Sequence, residues 1–344
     1  MTVHAYTSFT FSYLNRARVL ASSLKRQHPE WVFWAVLTDR PPDGFSFNAS
    51  EEDFDQIIRA EDLFGDSTET WLFRHDIVEA CTAVKGKALL HIMDQPCVDK
   101  IFYFDPDIAI FGSMQPVVDL LDNWSIILTP HQTTPEITEI AIRDNEITSL
   151  HYGTYNLGFL AVRNDLESRE FADWWSKRLD KWCFDRLDIG VFVDQKWCNL
   201  VPCYFDSVKV LRDPGYNVAS WNLSHRKATI SEDGSLLING FPLRFFHFTK
   251  LGPLGNTMTE RYAKDNIEIY EIWAWYEREV RRLSDPSIPA GWWHYGTFEN
   301  GDKIPKAVRE FYRYREDLVR AFPEPRGDGF RTWLLQNSEL LRDQ

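Results

Sequence analysis

An apolar run, Ile101-Phe102-Tyr103-Phe104, meets Asp105-Pro106-Asp107 and resumes at once as Ile108-Ala109-Ile110-Phe111. A run without polar alternation reads as a strand covered on both sides, the kind found in a parallel sheet with helices on each face. Such sheets bind ligands beyond the carboxyl ends of their strands. Two carboxylates one residue apart at that end point to a phosphate ligand held through a metal. Without a cation, an anion about 5 Å from each carboxylate is repelled by roughly 3 kcal/mol per unit pair at an effective dielectric of about 20. A divalent ion on Asp107, with Asp105 helping directly or through water, reverses that sign. Mg²⁺ and Mn²⁺ suit hard oxygen ligands and keep positions for phosphate oxygens. Pro106 fixes its own φ and pushes Asp105 towards extended backbone, which stiffens the turn. An ordinary surface turn uses the same residues; the apolar flanks bring the functional reading level with that one.

The 344 residues, 44% of them hydrophobic, can bury one large core or two moderate ones. Aromatics make up 15% with 14 Trp, a surplus that serves a packed core, sugar-ring stacking or an interface. A formal net charge of −13 argues against a nucleic-acid binder. An anionic ligand must therefore be met by a metal or by a few placed cations. No stretch approaches about 18 apolar residues, and Met1 to Tyr6 shows no basic segment leading into an apolar one. The expectation is a cytoplasmic enzyme. Cys81, Cys97, Cys183, Cys198 and Cys203, odd in number and without CxxC spacing, read as free thiols.

Residues 3–7 read as a first strand, 13–27 as a helix with Leu14, Ala17, Ala21 and Leu24 on one face, and 31–37 as a second strand ending at Thr38-Asp39. A right-handed crossover places Thr7, Ser8 and Asp39 on the sheet edge that carries Asp105 and Asp107. Residues 55–59 predict a short strand and 71–93 a helix whose weak point is Gly86. Strands are expected at 125–128 and 158–162, and helical spacing at 170–182. Beyond these, 236–238 and 243–248 read as extended, 257–283 as one long helix, and 306–322 as another after a Pro/Gly-rich break. The aromatic C-terminal helices are expected to pack on the catalytic domain; docking to a membrane, at its inner face, or to a partner is a second use for them.

Four blocks in order, Phe102 to Asp107, Tyr155-Asn156-Leu157-Gly158-Phe159, Asp194-Gln195, and Phe246-His247-Phe248 with Lys250, resemble the GT-A fold glycosyltransferases that use nucleotide sugars. The resemblance is nearest to the retaining family 8 type and to bacterial enzymes of surface-polysaccharide assembly. It implies an α/β fold with a mostly parallel central sheet flanked by helices, a catalytic domain over 1–255 and a helical C-terminal extension over 256–344. It further implies Mn²⁺ or Mg²⁺ held by Asp105, Asp107 and His247 against the diphosphate of a donor, most often a UDP-sugar, and a glycan or glycolipid acceptor. Nucleotide contacts fall on Tyr6, Thr7 and Asp39, a phosphate or sugar contact on Lys85, and stabilisation of the leaving diphosphate on Lys250. Asn156, Asp194 and Gln195 surround the transferred sugar. Family 8 chains usually end this region His-x-x-Gly-x-x-Lys-Pro-Trp, whereas this one reads His247-Phe248-Thr249-Lys250-Leu251-Gly252-Pro253.

Asp194 has two readings here, orienting the sugar in a retaining enzyme or acting as base on the acceptor in an inverting one. Two other classes stay open. A phosphatase also carries Asp-x-Asp after an apolar strand, though near its N-terminus and with Thr or Val where this chain has Ala109. A non-catalytic protein that binds nucleotide sugars or carbohydrate would keep the same cleft.

Overall fold

The computed structural model describes residues 2–341. Its first unit is β-α-β: β1 (Thr2–Phe9), α1 (Leu14–Gln27) and β2 (Val32–Leu37), followed by β3 (Gln56–Arg59), α2 (Ile77–Met93), β4 (Val98–Phe104) and the short β5 (Ile108–Ile110). Then come β6 (Ile126–Pro130), β7 (Tyr155–Arg163), α3 (Leu166–Trp182), β8 (Val208–Val210) and β9 (Phe245–His247). Seven strands form one sheet in the order β8-β6-β7-β4-β1-β2-β3. All neighbours are parallel except the two pairs made by β7, which runs against β4 and β6. This is the mostly parallel α/β sheet that the resemblance implies.

Alternation along the strands divides the core. Tyr6, Val36, Ile101 and Tyr103 pack against α2 and α3, while Ala5, Phe33, Phe102 and Phe104 pack against α1 on the opposite face. The two helices on the first face cross closely at Gly86, where an added Cβ would lie 2.6 Å from the Cα of Ser176. Gly86 is thus a contact point within an unbroken helix. The break falls earlier, at residues 74–76: a separate helix covers Thr68–Phe73, and Asp76 caps α2 by accepting the backbone N–H of Val78 and Glu79, both at 2.9 Å.

The expected helix over 257–283 is two helices, α4 (Pro253–Ala263) and α5 (Ile267–Arg282), parted where Lys264 takes a φ of 52°. Likewise 306–322 divides into α6 (Lys306–Arg313) and α7 (Glu316–Ala321). Phe298, Phe311, Tyr312 and Phe330 enclose Phe73 of the earlier helix. Arg313 forms a buried ion pair with Glu79 of α2 at 2.6 Å, so the C-terminal helices join the rest of the fold through both apolar and charged contacts. Among the described residues no helix is long and apolar enough to cross a membrane.

Candidate active site

The β4 strand delivers the Asp-Pro-Asp turn to the carboxyl edge of the sheet. The turn is pinned by the Asp105 N–H donating to the Gly158 carbonyl at 2.8 Å and the Ile108 N–H donating to the Asp105 carbonyl at 3.1 Å. Immediately beyond it, β5 pairs antiparallel with β9, opposing Ile108 to His247. That register brings His247 to Asp107. Its Nε2 lies 3.0 Å from Asp107 Oδ1 and 3.8 Å from Asp105 Oδ2. One ligand atom from each of Asp105, Asp107 and His247 lies within 4.8 Å of the others.

Gly158 makes room for this cluster. A Cβ there would stand 2.5 Å from His247 Cε1, 2.7 Å from its Nδ1 and 2.8 Å from Asn156 Oδ1. Burial alone would raise the Asp107 carboxyl, but the imidazole beside it holds it below the usual carboxylate range. Burial alone would likewise lower His247, and the Asp107 and Asp105 carboxylates raise it instead. Two carboxylates and an imidazole suit Mn²⁺ or Mg²⁺ and fill only part of an octahedral shell, so the residues present fit such an ion.

Behind the turn, the Lys85 ammonium lies 3.1 Å from Asp105 Oδ1 and 2.8 Å from Asp194 Oδ2, and donates to the Leu157 carbonyl at 3.0 Å. It also stands 4.2 Å from the centroid of the Tyr103 ring, whose hydroxyl donates to Asp105 Oδ1 at 2.6 Å. Burial opposes the charge on Lys85, yet the two carboxylates outweigh it and raise its pKa. Asp194 is raised by burial, with Lys85 opposing. It follows Val193, a β-branched residue at φ 35°, so local backbone strain accompanies this placement.

Lys85, Asp105, Asp107, His247, Asn156 and Asp194 therefore form one connected network, with Asn156 joined through His247 Nδ1 at 3.1 Å. Other expected site residues lie differently. The first strand runs to Phe9, past the predicted end, so Tyr6 and Thr7 are wholly buried within it. The Tyr6 hydroxyl donates to the Lys85 carbonyl at 3.2 Å, while the Thr7 hydroxyl has no partner among the described residues. Asp39 accepts backbone N–H groups from Arg40 at 2.9 Å, His294 at 2.7 Å and Phe11 at 3.1 Å, and burial pushes its carboxyl up to about 7. Gln195 donates to the Tyr152 carbonyl at 3.1 Å. Lys250 is exposed, at φ 56°, in the turn after β9.

In front of the network a cleft of about 210 Å³ is lined by Ser8, Thr10, Tyr13, Lys85, Asp105 and Asp107 among others. Tyr13 also borders a neighbouring groove of about 570 Å³, and its ring carries the Arg16 guanidinium 4.0 Å from the centroid. Sequence reasoning assigned no role to Tyr13, Arg16, Tyr103 or His131. The usable signal for His131 was its place directly after β6, on the same sheet edge as Asp105.

No family model matches the chain. Two proteins of Bacillus subtilis (strain 168) are similar to it: YfnF, 24% identical over 177 residues, covering 51% of this chain and 57% of that protein, and YfnD, 27% identical over 176 residues, covering 50% and 53%. Both are described as uncharacterized. The chain spans about half the length of the curated relatives it matches. Among solved structures it is similar to the galactosyltransferase LgtC in complex with donor and acceptor sugar analogs, at 17% identity and a TM-score of 0.48, covering 85% of this chain and 99% of that one. Apo glycosyltransferase GlyE of Streptococcus pneumoniae TIGR4 follows at 15% and 0.44, covering 81% and 64%. Mouse xyloside xylosyltransferase 1 stands at 13% and 0.41, covering 74% and 99%. All three are glycosyltransferases. With TM-scores below 0.5, their likeness carries no argument about this chain's chemistry, which rests on its own residues.

Proposed function

We propose that this chain is a metal-dependent glycosyltransferase that moves a hexosyl group from a nucleoside diphosphate sugar, UDP foremost, to a hydroxyl of a glycan or glycolipid. The observation that carries this reading is the convergence of Asp105, Asp107 and His247 within 4.8 Å at the carboxyl edge of the sheet. A divalent ion bound there supplies positive charge to a departing diphosphate. Lys250, exposed and without an ion pair among the described residues, is available to the same phosphates. Tyr13, exposed at the edge of the cleft, offers a hydroxyl and an aromatic ring to the nucleoside end. Gln195 borders the sugar, while the Asp194 carboxylate, enclosed behind Asp105, supplies negative charge at a distance as the anomeric carbon becomes electron-poor.

The environment of Asp194 favours retention. A base acting on an acceptor hydroxyl needs an accessible carboxylate, whereas Asp194 is 2% exposed and paired with Lys85 at 2.8 Å. The deciding experiment is a thermal-shift and turnover panel of nucleoside diphosphate sugars with and without Mn²⁺, repeated with Asp107→Ala. Donor binding should raise the melting temperature only with metal, and Asp107→Ala should abolish both shift and sugar release. Equal donor binding and turnover in the variant, or no metal-dependent shift with any donor, would remove this function.

A further inference from the structure

Resting on the metal reading above, we propose that His131 is a positioning residue for His247, acting through the side-chain amide of Asn156 to keep His247 Nε2 free for the metal. An imidazole ligates only through a nitrogen with an open lone pair, and the nitrogen facing the carboxylates of Asp105 and Asp107 is Nε2. The proton of the neutral ring must therefore sit on Nδ1. That nitrogen lies 3.1 Å from Asn156 Oδ1, an acceptor.

An amide has two faces, and the opposite one would reverse this. Turned by half a rotation, Asn156 would present Nδ2 to His247, call for the lone pair on Nδ1, and move the proton to Nε2, where it blocks the metal. The choice is made at the far end of the amide. Asn156 Nδ2 lies 3.3 Å from His131 Nε2, and a neutral imidazole nitrogen accepts there. In the observed arrangement each contact pairs one donor with one acceptor. In the rotated one, both histidines must change tautomer together. Trp221 packs edge-on against both rings, 5.3 Å from His247 and 5.4 Å from His131 between centroids, so neither ring is left loose. Asn156 is itself 6% exposed, with both ends of its amide engaged, which suits an orienting role better than a contact to sugar hydroxyls.

The test is Mn²⁺ titration by calorimetry, without nucleotide, on the wild type, His131→Phe and His131→Gln. Phe removes the acceptor; Gln keeps a carbonyl that can take the Asn156 N–H. His131→Phe should bind Mn²⁺ about ten-fold more weakly and His131→Gln close to wild type. In a His247→Ala background, His131→Phe should add no further loss. Nitrogen-15 NMR of the metal-free wild type supplies a readout that needs no variant to fold, and should show a neutral His131 protonated at Nδ1, with Nε2 accepting from Asn156. A His131 proton on Nε2, or undiminished Mn²⁺ affinity in a folded His131→Phe, would overturn the positioning role alone. A wild type that takes up no Mn²⁺ would overturn the metal reading and this inference with it.

Discussion

Lys85 and Asp194 form an ion pair of 2.8 Å with both side chains almost entirely enclosed, although 109 residues separate them in the chain. The lysine comes from the middle of α2 and the aspartate from the strained turn after Val193. The same ammonium also reaches Asp105, so one buried cation links the Asp-Pro-Asp turn to the expected sugar site. Its attraction to two carboxylates must offset the cost of removing three charges from water, and only close, hydrogen-bonded geometry does so.

Replacing Lys85 with Met should therefore affect both stability and chemistry. Asp194 would be left buried without a counter-charge, a loss of about 3–5 kcal/mol. Lys85→Met/Asp194→Leu should recover much of that stability without restoring sugar transfer. Urea unfolding of the two single variants and the double variant, analysed as a thermodynamic cycle, measures the coupling. Additive losses would mean that the pair contributes nothing jointly.

Gly158 is predicted to be intolerant even of alanine. The new methyl would meet the His247 ring and the Asn156 oxygen, all of which are buried and crowded. Overpacking of this kind costs about 1–3 kcal/mol, and displacement of the imidazole should weaken Mn²⁺ binding by roughly 10- to 100-fold. Calorimetric titration of Gly158→Ala at a temperature where it remains folded checks this. Wild-type affinity would show that the ring moves aside without consequence.

The Asp-Pro-Asp turn was legible because apolar residues flank it on both sides, a local pattern that survives in three dimensions as β4 and β5. The first strand was read too short for the same kind of reason. Thr7-Ser8 looks like the start of a loop, but the Ser8 hydroxyl donates to the Cys81 carbonyl at 2.6 Å and contacts the Tyr103 hydroxyl at 3.0 Å, so a polar residue is satisfied inside the strand. Tyr6 consequently lies in the core where a nucleotide contact was expected. The meeting of His247 with Asp107 could not be derived from spacing, since it depends on three-residue strands pairing across the fold. His131 carried no motif at all; its position after a strand acquires meaning only once Asn156 is seen between it and His247.

Acid should destabilise this protein through His75, a histidine outside the Asp105, Asp107 and His247 cluster. His75 is fully buried, its Nδ1 is 2.7 Å from the Trp71 carbonyl, and its Nε2 has no partner among the described residues. Burial, reinforced by the Arg313 charge, pushes its pKa down to about 3. The folded protein thus keeps the ring neutral where the unfolded chain, titrating near 6.5, takes up a proton. This contribution to stability is complete above about pH 6.5 and is lost as pH falls towards the folded value. Between pH 7.5 and pH 5 the loss from His75 alone should be about 2 kcal/mol. His75→Phe should be less stable at pH 7.5, having lost the hydrogen bond to Trp71, yet fall less on acidification by about that amount. Denaturant unfolding of both proteins at the two pH values isolates the effect, because other titrating groups are common to both. Parallel pH profiles would mean that His75 accepts a proton without opening the fold.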